Sequence, residues 1–359
     1  METPLPEALR AAMLALLLSS GDAAWAKTPD WSVDPHAAAN PAYAASRAVC
    51  RKLAAVAPPM DDAPTPAEAA SLADCSSEAL LYGIGRPADP RAARLCATVE
   101  TRVADPQVTD FGFTGIRTQM IVYANGVGAG RDLDVATALA CRSGGTPEEI
   151  DSRVRHLARL RREGWTGTTF SLCDDAASDM VRGICADHDQ LIARSDRAKS
   201  FAALSAGWSA ADRAAFVPLE RAEAAFVDAR GQAEGDRSGS GRGPAMVAAE
   251  ERAERDFTEL LFDAEAGRIA TASPPDAKAA QEILDSSFAV LMARVPGLAR
   301  TTSITAAGLV SSQRSWLRYR DAWLSFARVR YPTLAPEALL TRLTRARADQ
   351  VSVIRSVAE

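Results

Sequence analysis

Residues able to do chemistry gather most densely between Cys173 and Asp189. Asp174 and Asp175 follow the first cysteine, while Asp187, His188 and Asp189 follow Cys185. Thiolate, imidazole and carboxylate are the donors zinc takes, but zinc sites favour cysteines about two to four residues apart, with further ligands at a second such pair. No C-x-x-C and no H-x-x-x-H occurs in the chain. The aspartates therefore read as helix caps and solvated charges, and Cys173 and Cys185 as a local disulfide pair closing an Asp-rich turn. No metal and no cofactor is expected.

Hydrolytic chemistry fares no better. A triad needs a nucleophile, a histidine within hydrogen-bond reach and an orienting acid. The chain has three histidines, His36, His156 and His188, and no G-x-S-x-G elbow around any serine. The run Gly126-Val127-Gly128-Ala129-Gly130 lacks the preceding strand and the lysine of a phosphate loop, so it reads as a turn between helices. Glu250-Glu251 and Asp61-Asp62 are adjacent in sequence and diverge on a helix, which rules them out as acid/base pairs. No catalytic residue is expected, and the chain reads as a non-enzyme.

The densest mixture of aromatic and charged residues is Gln313-Arg314-Ser315-Trp316-Leu317-Arg318-Tyr319-Arg320-Asp321-Ala322-Trp323. Trp316, Tyr319, Trp323 and Phe326 fall on one helical face, with Arg314, Arg318 and Asp321 on neighbouring faces. Asp321 is placed to pair with Arg318, three residues earlier, and Arg320 to stack on the Trp316 indole. An aromatic stripe at helical spacing is core, so the segment should fix the fold rather than touch a partner. The pattern Q-R-x-W-x-x-Y-R-D-A closely resembles the signature helix of the lysozyme-inhibitor LprI-like family of bacterial envelope proteins. Leu343-Thr344-Arg345-Ala346-Arg347 resembles that family's closing helix, L-T-x-x-R. The resemblance covers residues 170–355, most specifically 309–347, and implies an exported all-α protein that works by binding. In the family the signature helix commonly continues Asp-Ala-x-Cys; here Trp323-Leu324 follow, so aromatic packing is expected to replace that anchoring disulfide.

These residues need helices to hold them. Apolar residues recur at steps of three and four, with no alternating run of strand length, which predicts an all-α chain. Residues 27–45 read as an extended arm. Within 46–163, Tyr82-x-x-Gly85 followed by Asp89, Ala92, Leu95 and Cys96 is echoed by Tyr123-x-x-Gly126 followed by Asp132, Ala136, Leu139 and Cys141, with the first unit one residue shorter. Asp89 before Pro90 reads as an N-cap, a job that Asp132 or Asp134 does in the second unit. The pattern resembles the Sel-one-like repeat, a tetratricopeptide relative made of antiparallel helix pairs. Flanking helices near 46–57 and 147–162 would cap the stack. Gly164 to Thr169 marks the next boundary, and a helical domain over 170–355 follows. There Glu220-Arg221 and Phe226-x-Asp228-Ala229 parallel Gln313-Arg314 and Tyr319-x-Asp321-Ala322, suggesting a duplication into 170–272 and 273–355. The Gly- and Ser-rich stretch 231–244 reads as a flexible loop.

The compartment follows from both ends of the composition. Residues 1–26 carry an apolar stretch from Ala11 to Leu18 and end in Ala24-Trp25-Ala26, the pattern of a cleaved signal peptide. Eight apolar residues are too few for a bilayer span, which needs about 20. The six cysteines, Cys50, Cys75, Cys96, Cys141, Cys173 and Cys185, all lie beyond the signal, and an even count there implies disulfides among fifteen connectivities. The Sel-one-like resemblance implies Cys50 with Cys75, leaving Cys96 with Cys141 at equivalent ends of the two units. The net charge is −5, which disfavours nucleic acid. The expected protein is periplasmic or secreted, and its partner is a protein of the cell envelope. The family resemblance implies a lysozyme or muramidase, whose cleft carries two carboxylates. Arg237 and Arg242, in the Gly/Ser stretch, are the cations placed to meet them. The alternative is a scaffold that binds through the repeat surface.

Overall fold

Helix starts are written into the chain as hydroxyl and carboxylate pairs three residues apart. Thr65 with Glu68, Thr146 with Glu149, Ser209 with Asp212 and Ser273 with Asp276 each form a reciprocal capping box. The computed structural model describes residues 30–103, 112–238 and 242–356; the expected signal peptide, 1–26, lies outside them. Among the described residues there are fourteen α-helices, several 3-10 turns and no strand. The all-α reading holds.

The chain divides into two compact units, the first ending at Ser195 and the second beginning at Asp196. The first contains α1 (Pro35–Ala39), α2 (Ala44–Lys52), α3 (Pro66–Ser71), α4 (Ser77–Tyr82), α5 (Pro90–Val103), α6 (Gly115–Asn125), α7 (Leu133–Ala140) and α8 (Pro147–Arg162). The division falls inside α9 (Asp179–Ser205). The second contains α10 (Ala210–Glu234), α11 (Arg242–Glu265), α12 (Pro274–Leu298), α13 (Ala306–Arg330) and α14 (Pro336–Ser356).

Several expectations for the first unit need correction. The described part of the arm is not extended: Asp30, Asp34 and Asn40 cap successive short helical turns, and Trp31 is buried with its backbone N–H donating to Cys141 O at 3.0 Å. The Gly/Thr stretch at 164–169 is not a boundary either. Asn125 brackets Phe170, donating to its carbonyl and accepting from its N–H, both at 2.9 Å. Arg131 donates to the carbonyls of Thr166 and Gly167. A turn whose polar groups are taken up this way stays with the unit it leaves.

Two helix pairs stand where the repeat was expected, and their turns align in a different register. Gly83 and Gly126 end α4 and α6 in the left-handed conformation, at φ 69° and 64°. The N–H of Asp89 then donates to Leu80 O at 2.8 Å, as that of Asp132 does to Tyr123 O at 3.0 Å. Asp89 and Asp132 cap α5 and α7 through Ala92 N and Val135 N, both at 2.9 Å. Leu80 therefore matches Tyr123, and Gly83 matches Gly126, so the two connections are equally long. The tyrosines are the misleading mark, because the turn is set by the left-handed glycine and not by the aromatic before it.

The disulfides differ from expectation in the same unit. Cys173–Cys185 forms as read from the sequence, but the other bridges are Cys50–Cys141 and Cys75–Cys96. Cys75 and Cys96 sit on the two sides of one helix pair. Cys50, at the end of α2, reaches Cys141 at the C-cap of α7, beside Trp31.

The second unit is built on aromatic packing. Trp208, Phe216, Phe226, Trp316, Tyr319, Trp323 and Phe326 share one buried cluster. Glu265 gathers one end of it, accepting from Arg330 at 3.0 and 2.9 Å, from Tyr331 Oη at 2.9 Å and from Trp208 Nε1 at 2.9 Å. The expected cut between 272 and 273 falls between α11 and α12. Phe226 and Tyr319, matched by their spacing, stack on each other with centroids 5.3 Å apart.

Candidate partner-binding site

The helix that carries Gln313 to Trp323, α13, turns its aromatic face inward: Trp316 is 1% exposed and Trp323 0%. Arg320 lies over the Trp316 ring at 5.5 Å. Asp321 pairs with Arg320, accepting at 3.0 and 2.8 Å, and not with Arg318, which donates to Ser315 Oγ at 2.8 Å instead. Arg314 is exposed. Gln313 has a role that spacing alone does not show, because its Oε1 accepts from Arg347 Nε at 2.9 Å. The Gln313–Trp323 and Leu343–Arg347 segments are thus joined by a side-chain hydrogen bond.

Arg347 anchors a buried charge network. Its two terminal nitrogens donate to Glu234 at 3.1 and 2.6 Å, and Nη1 also reaches Gln350 Oε1 at 3.3 Å. Arg230 adds a second cation to Glu234 at 2.8 Å, and Ser312 Oγ donates to the same carboxylate. Burial alone would push the Glu234 carboxyl up, yet Arg347 and Arg230, with hydrogen bonds from Arg347 and Ser312, hold it down at about 2. Glu234 lies within 231–244, the stretch expected to be a flexible loop. That expectation is corrected: α10 runs through Glu234 and α11 begins at Arg242. Gly231 is there for close approach, since a Cβ on it would meet Glu250 Oε1 at 2.3 Å. The helix code for this network was present as Arg230 and Glu234 one turn apart, but the surrounding glycines masked it.

The short connection that remains carries one of the two expected cations. Asp236 Oδ1 accepts from the N–H and hydroxyl of Ser238 at 2.9 and 2.8 Å and from Ser303 N at 2.9 Å. The N–H of Arg237 donates to Ser303 Oγ at 2.5 Å. These bonds hold the turn while the Arg237 side chain stays exposed, its Nη1 donating to Gln232 O at 3.3 Å. The Arg242 side chain lies outside the described residues.

A cleft opens beside the network, lined by Phe226, Asp256, Leu260, Trp316, Tyr319 and Arg342 among others. It has room for little more than a water molecule.

In the Asp- and His-rich segment, Asp174, Asp175 and His188 each have a protein partner. Asp174 caps Ser171 N at 2.8 Å. Asp175 accepts from Ser152 at 3.2 Å and faces His156 Nδ1 at 3.1 Å. His188 faces Glu78 at 2.6 Å while stacked on Phe113 at 3.6 Å. Sulfur and carboxylate donors of Cys75, Cys96 and Glu100 do converge within 4.8 Å. The two sulfurs are bonded to each other, however, and Glu100 accepts from Ser77 N and Gly115 N at 2.9 and 2.6 Å. The glycine run at Gly126–Gly130 is the turn between α6 and α7.

Comparison with protein-family models, with curated proteins and with solved structures returned no match.

Proposed function

We propose that this chain is an exported protein that works by binding, and that the turn carrying Arg237 is its contact with a muramidase cleft. The observation that carries the reading is the turn itself: an exposed guanidinium on backbone held by Asp236 and Ser303. A cation presented this way suits a cleft bearing two carboxylates, and a preorganised turn loses less entropy on binding than a loose one. Burial of the signature aromatics supports it from the other side, since it leaves surfaces to carry function. Three disulfides are the chemistry of an oxidising compartment, and no described helix is long and apolar enough to cross a membrane. The test is a turbidity assay with several lysozymes. Inhibition by the chain, weakened at least about tenfold by Arg237→Ala, is expected from the loss of one desolvated charge contact. No inhibition by the wild-type chain at micromolar concentration would sink the reading.

The helix pairs of the first unit, set in one register and bridged, favour a second reading as an envelope scaffold. Here the repeat surface binds the partner, and removing Arg237 leaves partner capture unchanged.

A further inference from the structure

Most helices of the second unit bury one face and wet the other with charge; α12 also keeps an uncharged stripe among its exposed, charged residues. Inward, Ala280, Leu284, Leu291, Val295 and Leu298 enter the core. Outward, Ile283 is 56% exposed and Val290 39%. With Ala279, Ser286, Ala293 and Gly297, all exposed, they recur at steps of four and three and form an uncharged stripe along the helix. An uncharged stripe holding two exposed β-branched side chains is a face that a neighbouring helix can cover.

We infer that this face pairs with the same face of a second copy of the chain, antiparallel and related by a two-fold axis. Charge selects both the occupant and the direction. The first half of α12 carries Asp276, Glu282 and Asp285 against a single Lys278, whereas the second half carries Arg294, with Arg300 just past its end. An antiparallel copy sets each acidic half against a basic one and opposes the two helix dipoles; a parallel copy stacks like on like. A second copy brings that complementary charge in register by symmetry. Ser286 and Ala293 let the helices approach closely between the two large side chains. A 25-residue helix is about 37 Å long, so one helix pair buries less than the roughly 1,600 Å² of a standard interface. The dimer is weak and reversible.

This inference is independent of the muramidase reading. Sedimentation velocity of the chain from about 5 to 200 μM should show a monomer-dimer equilibrium that shifts with concentration. Ile283→Glu and Val290→Glu should each leave monomer at every concentration, with far-UV circular dichroism and thermal midpoint unchanged because both side chains face solvent. Reversing Glu282 and Asp285 to Arg should weaken the dimer about tenfold, and adding Arg294→Glu and Arg300→Glu should restore it. A wild-type chain that stays monomeric throughout overturns the inference, as does a dimer that survives Ile283→Glu. Failure of the compensating charges to restore association overturns the antiparallel arrangement. A monomeric chain that uses this face to hold a different protein also overturns it.

Discussion

Arg347 shows how a charge becomes structural. Its guanidinium is 1% exposed, bonded to Glu234, Gln313 and Gln350, and lies over the Phe226 ring at 5.4 Å. Taking charges out of water is costly, and the cost is offset only while every partner stays in place. Arg347→Ala should therefore destabilise the second unit by about 3–5 kcal/mol, leaving Glu234 buried against Arg230 alone. Urea denaturation followed by circular dichroism would measure it; a loss under about 1 kcal/mol would show the network to be slack. The same carboxyl sets a pH dependence. Its native value, about 2, lies below the ordinary 4.5, so its contribution is fully present above about 4.5 and lost as pH falls through about 2. Glu234→Gln should flatten the fall in denaturation midpoint across that window. An unchanged slope would assign acid sensitivity to other carboxyls.

At the scale of elements, glycines decide which turns tolerate change. Gly128 sits at φ 88°, and a Cβ there would meet Pro90 O at 2.3 Å, so the turn after α6 presses directly on the start of α5. Gly85, its counterpart in the first helix pair, is at φ 70° with nothing within 4 Å. Gly85→Ala should cost about 1–2 kcal/mol from the left-handed backbone alone. Gly128→Ala carries that strain plus a backbone clash and should cost at least about 2 kcal/mol more. Equal losses, read from thermal unfolding under oxidising conditions, would mean the two pairs pack alike. The comparison also separates what a repeat pattern reveals from what it hides. Sequence spacing located both helix pairs, while the packing partner of each turn came from the fold.

For the whole molecule, the described cross-links are confined to one part. All six cysteines precede Ser195 and the second unit has none. Reductant should lower the unfolding midpoint of the first unit and leave that of the second where it was. Within the first, the Cys50–Cys141 bridge spans 91 residues and Cys173–Cys185 spans 12. Chain entropy alone then makes the long bridge worth about 4–5 kcal/mol and the short one about 3. Paired Ser substitutions measure the difference, and non-reducing peptide mapping checks the connectivity. A larger loss at the short bridge would point to strain or residual structure instead of chain entropy. Read alone, the sequence determined the all-α class, the burial of Trp316, Tyr319 and Trp323, the Arg320 stacking on Trp316 and the Cys173–Cys185 pair. Each of these rests on residues within a few turns of one another, where helical period and capping chemistry act locally. Only the tertiary structure decided that Cys50 meets Cys141, that Glu234 is buried between Arg347 and Arg230, and that helix enters the Gly-rich stretch from both ends. Those outcomes depend on which helices come to lie side by side, a choice made by packing distant segments into one core, and local spacing carries no record of it.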